Sequence, residues 1–146
     1  MFLQIKHATK EFFINQILPR LFLGDFVDAE SMTIDQVQCI ISLSEASPHV
    51  ADGITHIHAP IPDEMWLPPS VWNELVYALA QAVRDELVVL VHCRLGVSRS
   101  PALVVAYLAQ CGWTIETALE FVKKRRSVVN IHHETLRGVM QWDRRD

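Results

Sequence analysis

The chain has 146 residues and a mass of 16.7 kDa, and half of it is hydrophobic, which is enough apolar material for the core of one domain and too much for a disordered chain. Lys and Arg number 13 against 17 Asp and Glu, a formal charge of −4, which excludes a protein whose main task is coating a polyanion; no nucleic-acid partner is expected. Residues 1–69 hold 3 basic and 9 acidic side chains and residues 70–146 hold 10 and 8, so anion chemistry belongs in the second half.

At the N-terminus, Lys6, Lys10 and Glu11 interrupt what a signal peptide would need as an apolar core, and no apolar run approaches the ~18 residues of a membrane helix. The expectation is a cytoplasmic chain with no targeting segment and no membrane association. Apolar runs bounded by turn residues predict strands over Ile17–Leu23, ending at Gly24, and over Cys39–Leu43 and Ile54–His58. Pro60–Pro69 reads as one irregular loop, because each proline restricts the residue before it and removes an amide donor. A helix follows over Ser70–Arg84, with Val71, Leu75, Leu79 and Ala82 on one face and Ser70 as its cap. Leu87–Val91 is continuously apolar and predicts a central strand covered on both faces. The remaining helices are Pro101–Gln110, apolar nearly all round and therefore buried, Thr114–Arg126, capped by Thr114 after the Gly112 stop, and Glu134–Arg144.

Strands alternating with helices predict an α/β fold, a central mostly parallel sheet of four to five strands flanked by helices. With no repeat, low-complexity tract or linker, a single domain over residues 1–146 is expected, as a monomer. Cys39, Cys93 and Cys111 are too few for a disulfide framework and form no CxxC pair.

Between the best strand and the most buried helix lies HCRLGVSRS, His92–Ser100. A strand feeding a short glycine-containing loop that opens a helix is an anion cradle: Gly96 permits a backbone turn barred to other residues, and free amides and the positive helix end face the loop. The amides of Arg94, Leu95, Gly96, Val97 and Ser98 are the expected phosphate ligands. Cys93 opens the cradle and Arg99 is the sixth residue after it. Amide donors and a cation favour the thiolate, which makes Cys93 the candidate nucleophile. Arg99 offers a planar fork matching two phosphoryl oxygens.

VHCRLGVSRSPALVVAYL resembles the active-site signature of the dual-specificity branch of the cysteine-dependent protein tyrosine phosphatases: HC, five residues, R, then S or T. ILPRLFLGDFVDA is similar to that family's first strand and turn, CIISL to its second strand, and API-PD to its general-acid loop. The resemblance implies a phosphatase-like fold and metal-independent hydrolysis of phosphate monoesters through a phosphocysteine at Cys93. No metal or cofactor is expected, because Arg99 and the amides supply the charge stabilisation. Asp63, 30 residues before the nucleophile in the proline-rich loop, is implied as the acid that protonates the leaving group, with Glu64 and Asp52 as alternatives. Ser100 matches the hydroxyl that helps the thiolate depart, and His92 is expected to orient the cradle. After the run KKRR, where the family shows Pro-Asn, this chain has Asn130 without the proline; it is the candidate for bracing the loop.

Other features have plainer explanations. His56 and His58 share a strand face and His132 and His133 are adjacent, but no convincing third and fourth metal ligands accompany them, so they read as ordinary polar positions. Lys123–Arg126 suit a helix C-terminus. Cys39 and Cys111 read as packing. A phosphorylated protein is the expected substrate, because Leu95, Gly96 and Val97 place no lysine inside the loop. Phosphoinositide and RNA 5′-phosphate substrates are the alternatives on the same fold. A phosphopeptide-binding module would have lost the nucleophile, and a sulfur- or arsenate-handling enzyme would need neither Asp63 nor the SRSP continuation.

Overall fold

A computed structural model describes residues 2–7 and 10–144, with side chains from Ile14 onward; the ends of the expected 1–146 domain, residues 1 and 145–146, lie outside the described residues. In chain order the elements are β1 (Phe2–His7), β2 (Lys10–Leu18), β3 (Leu21–Gly24), α1 (Phe26–Ser31), β4 (Cys39–Ser42), β5 (Thr55–His58), α2 (Pro69–Arg84), β6 (Val89–His92), α3 (Arg99–Gln110), α4 (Ile115–Arg125) and α5 (His133–Asp143). They form an α/β fold whose sheet runs β1-β2-β3-β6-β4-β5. The four strands β3, β6, β4 and β5 are parallel, and β1 and β2 extend the sheet as an antiparallel pair beside β3.

The run Ile17–Leu23 is not one strand. It holds the end of β2, a tight turn at Pro19 and Arg20, and the start of β3, with Leu18 paired to Leu21. Proline has the φ that a turn needs and no amide for a ladder, and the apolar residues on both sides hide the break. The cap of α2 also differs from expectation. Pro68 is its N-cap with no side-chain bond, and Ser70 lies inside the helix; Pro69 at the first position removes one donor that would otherwise need a cap. Thr114 does cap α4, accepting from the Thr117 amide at 3.1 Å.

The continuous apolar character of β6 follows from burial on both faces. Val89 and Val91 join the larger core cluster with Trp72, Leu79 and Leu103, while Leu90 joins a smaller one with Ile14, Ala29, Met32 and Ile40. Every residue of α3 from Arg99 to Leu108 is buried. The helix directly behind the His92–Ser100 loop is thus clamped on all sides, and it cannot shift without opening the core.

Helix α1 has only six residues and is fixed by a capping box: the Asp28 amide donates to Asp25 and the Asp25 amide donates to Asp28, both at 2.8 Å. Burial, and secondarily the neighbouring Asp25 carboxylate, pushes the Asp28 carboxyl from an ordinary 3.8 up to about 7, although Arg126 favours its ionised form. In the folded chain Asp28 therefore holds a proton that the unfolded chain gives up above about 4. Its effect on stability is unfavourable and grows as pH rises from about 4 to 7. Asp28→Asn keeps an acceptor for the Asp25 amide and cannot ionise. Buried His92 acts in the opposite sense over the same range, so the Asp28 contribution is read as a difference: denaturant midpoints should show the variant gaining stability relative to the parent between pH 5 and pH 8.

Candidate active site

Because β3, β6, β4 and β5 run parallel, their C-terminal ends deliver chain to one edge of the sheet, where ligands of open α/β sheets bind. That edge receives Gly24–Asp25 after β3, Leu43–Glu45 after β4, the Ile61–Asp63 loop after β5 and the Cys93–Ser98 loop after β6.

The carbonyls of the last loop are drawn to its outer side. Arg94 O accepts from the Phe26 amide at 3.1 Å and Val97 O from the Asn130 amide at 2.9 Å. Gly96 O accepts from Arg126 Nε at 2.8 Å and Leu95 O from Arg126 Nη2 at 3.5 Å. Across a planar trans peptide the next amide points the opposite way. The amides of Leu95, Gly96, Val97 and Ser98 are therefore turned inward, and none donates to the protein's own backbone among the described residues. Gly96 is required on two counts: its φ is +68°, and a Cβ there would stand 2.5 Å from both Gly24 O and Arg126 Nη2.

The cleft in front of these amides measures about 330 Å3 and is lined by Cys93, the loop, Asp63, Glu64, Asn130 and His132. Cys93 Sγ, just after β6, lies 3.3 Å from Ser100 Oγ in the first turn of α3, and both residues are buried. Arg99 is 3% exposed, with Nη1 donating to Glu45 Oε1 at 3.0 Å, Ile61 O at 3.2 Å and Leu43 O at 3.5 Å. Its Nε has no hydrogen-bond partner, with Asp63 Oδ1 at 3.5 Å as the nearest carboxylate oxygen. A buried guanidinium N–H left unpaired is costly unless a ligand takes it.

His92 supports the loop from behind. Its Nδ1 lies 2.9 Å from Cys93 O, which can only accept, so Nδ1 carries the proton and Nε2 accepts from Ser42 Oγ at 2.6 Å. Ser42 Oγ in turn accepts from His56 Nε2 at 2.8 Å. Burial pushes His92 down to about 4, so it is neutral and the donor sequence His56 to Ser42 to His92 to Cys93 O is fixed.

Of the three candidate acids, Asp63 and Glu64 line the cleft, while Asp52 precedes β5 and lies at the opposite edge of the sheet. The Asp63 side chain is 46% exposed, and its Oδ1 accepts from the Glu64 amide at 2.9 Å. Arg94 is exposed at the rim. Asn130 meets the loop through its backbone amide only, and the His132 amide donates to Ser98 Oγ at 3.0 Å. Residues 130 and 132 thus hold the loop through their main-chain amides.

Sequence reading missed Glu45, Ser42, His132 and Arg126. The last carried a signal: Ala118, Val122 and Arg126 are spaced four apart, continuing the buried stripe of α4 onto its C-cap, which marks Arg126 as different from its neighbours in KKRR.

A family model described as "Dual specificity phosphatase, catalytic domain" matches residues 21–145. Mouse dual specificity protein phosphatase 2 is 28% identical over 134 residues, which is 88% of this chain and 42% of that protein. Mouse protein phosphatase Slingshot homolog 3 is 34% identical over 136 residues, 88% of this chain and 21% of that protein, so the chain spans less than half the length of either relative. Among solved structures, a variant of human DUSP28 superposes with a TM-score of 0.81 at 26% identity, covering 89% of this chain and 93% of the other.

Proposed function

The chain belongs to the dual specificity phosphatase catalytic domain family, and from that premise we propose that it is a single catalytic domain hydrolysing phosphate monoesters through a phosphocysteine. Cys93 Sγ attacks phosphorus in line with the leaving oxygen. The P–O bond breaks as the P–S bond forms, and Asp63 gives its proton to the departing oxygen. The Asp63 carboxylate then takes a proton from water, which attacks phosphorus and releases inorganic phosphate. Ser100, 3.3 Å from the sulfur, donates to the thiolate as it leaves. Arg99 and the four inward amides hold the phosphoryl oxygens throughout, with no metal.

The observation that carries this reading is the set of unused donors converging on one thiol: four loop amides and the buried Arg99 Nε around Cys93. The substrate that fits best is a phosphorylated protein, tyrosyl and also seryl or threonyl, because no cation projects from Leu95, Gly96 or Val97 to receive further phosphates of an inositol ring. A monomer acting in the cytoplasm completes the proposal. Among the described residues, no helix is long and apolar enough to cross a membrane.

The role of Asp63 is tested by leaving group. A phenoxide from an activated aryl phosphate departs with little help, whereas a threonine alkoxide needs the proton. Asp63→Asn should slow hydrolysis of phosphothreonyl peptides by ~10²- to 10⁴-fold and of the aryl ester by much less. Equal losses on both substrates would assign the acid to Glu64.

A further inference from the structure

The cradle cleft has a neighbour. A second cleft of about 490 Å3 opens between residues 25–27 at the start of α1, residues 44–46 after β4, and the cradle residues Arg94 and Leu95. The two clefts adjoin at Arg94 and Leu95, which line both. The walls of the second are apolar at Phe26, Val27, Ala46 and Leu95, and Val27 and Leu95 remain 38% and 65% exposed. Its charged groups are the carboxylates of Asp25 and Glu45 and the guanidinium of Arg94. Only Oε1 of Glu45 is engaged by Arg99, and Asp25 spends Oδ1 on the Asp28 amide.

A phosphoresidue seated on Cys93 places its neighbours in an extended segment at steps of ~3.3 Å, which brings the adjacent residues over the Arg94–Leu95 ridge. The side chain that matches the second cleft has an aliphatic stem for the apolar walls and a cationic end for the two carboxylates. An acidic side chain or a second phosphate meets the like charges of Asp25 and Glu45 there, with Arg94 on the wall shared with the cradle as the lining group of opposite sign.

We propose that this second cleft is a substrate subsite that receives a lysine or arginine next to the phosphorylated residue. The inference rests on the phosphatase reading and adds the class of phosphopeptide that the site selects.

The test uses phosphotyrosyl peptides that differ only in the residues flanking the phosphotyrosine, being lysine, alanine or glutamate. Values of kcat/KM are measured with the wild-type chain, Asp25→Asn and Val27→Lys. Affinities of the same peptides are read by calorimetry on each protein carrying Cys93→Ser, and an aryl phosphate without peptide serves as control. Rim-exposed ion pairs of this kind should favour the lysine peptide over the glutamate peptide by ~5- to 10-fold in both readouts. Asparagine still caps α1, so Asp25→Asn should lose most of that preference while keeping the fold. Val27→Lys puts a cation into the cleft and should erase or invert the order, with aryl phosphate hydrolysis unchanged within ~2-fold. If the three peptides are equivalent, or if the order survives in Val27→Lys, the subsite assignment is overturned while the phosphatase reading stands. Should no phosphate ester be hydrolysed, the phosphatase reading fails, and the calorimetric order still decides what the cleft recognises.

Discussion

Cys93→Ser is expected to lower turnover of an aryl phosphate by ~10⁴-fold or more while leaving affinity for inorganic phosphate or a phosphopeptide nearly intact. The split follows from where each part of the site resides. The inward amides of Leu95, Gly96, Val97 and Ser98 are held by donors on the outer side of the loop, the Phe26 and Asn130 amides and Arg126, none of which involves the sulfur. Serine is close to cysteine in size and leaves that scaffold in place, but its alkoxide is not accessible at neutral pH. Steady-state rates together with calorimetric titration of phosphate check both halves. A variant that retains more than ~1% of the parental rate would show that the thiol is not the attacking group.

The second large effect is at Arg99. Its Nη1 is already committed to Leu43 O, Ile61 O and Glu45, which aim the plane of the guanidinium and leave Nε without a hydrogen-bond partner, 3.5 Å from Asp63 Oδ1. A lysine reaching the same place can satisfy one of those acceptors or the phosphoryl group, not both, and its point charge cannot follow two oxygens into the equatorial plane of the transition state. Arg99→Lys should therefore cost ~10³-fold in kcat, nearly as much as Arg99→Ala, with a smaller change in KM. Near-normal kcat in the lysine variant would mean that the guanidinium serves the fold through Leu43, Ile61 and Glu45 and does not grip the substrate.

The parts of this site that were legible in the sequence are those whose cause is local. Leu87–Val91 and Pro101–Gln110 announce a buried strand and a buried helix by composition, and His92–Ser100 between them has the glycine, cysteine and arginine that a cradle needs. Thr114 was readable as a cap because its partner, the Thr117 amide, is three residues away. What stayed hidden depends on the assembled sheet. Glu45 meets Arg99 only because β4 and β6 are adjacent and parallel, and Ser42 meets His92 for the same reason. Arg126 reaches Gly96 across 30 residues of chain and Asn15 across 111. Helix α1 was missed because six residues are too short for periodicity to speak, and its capping box is visible only once Asp25 and Asp28 are seen to exchange bonds. Asn130 and His132 hold the loop through main-chain amides, which no side-chain pattern reports.

The claim on which the rest depends is that phosphorus passes through Cys93. It is tested most directly in Ser100→Ala, where loss of the hydroxyl 3.3 Å from the sulfur should slow the departure of the thiolate more than its attack, so that the intermediate accumulates. The variant is mixed with an aryl phosphate, quenched in acid within the first turnover and digested, and the fragment containing Cys93 is weighed. One phosphoryl group bound to Cys93, accompanied by a burst of aryl product close to one per chain, is the predicted result. A burst with no phosphate on that fragment, or phosphate on any other residue, would contradict a phosphocysteine at Cys93.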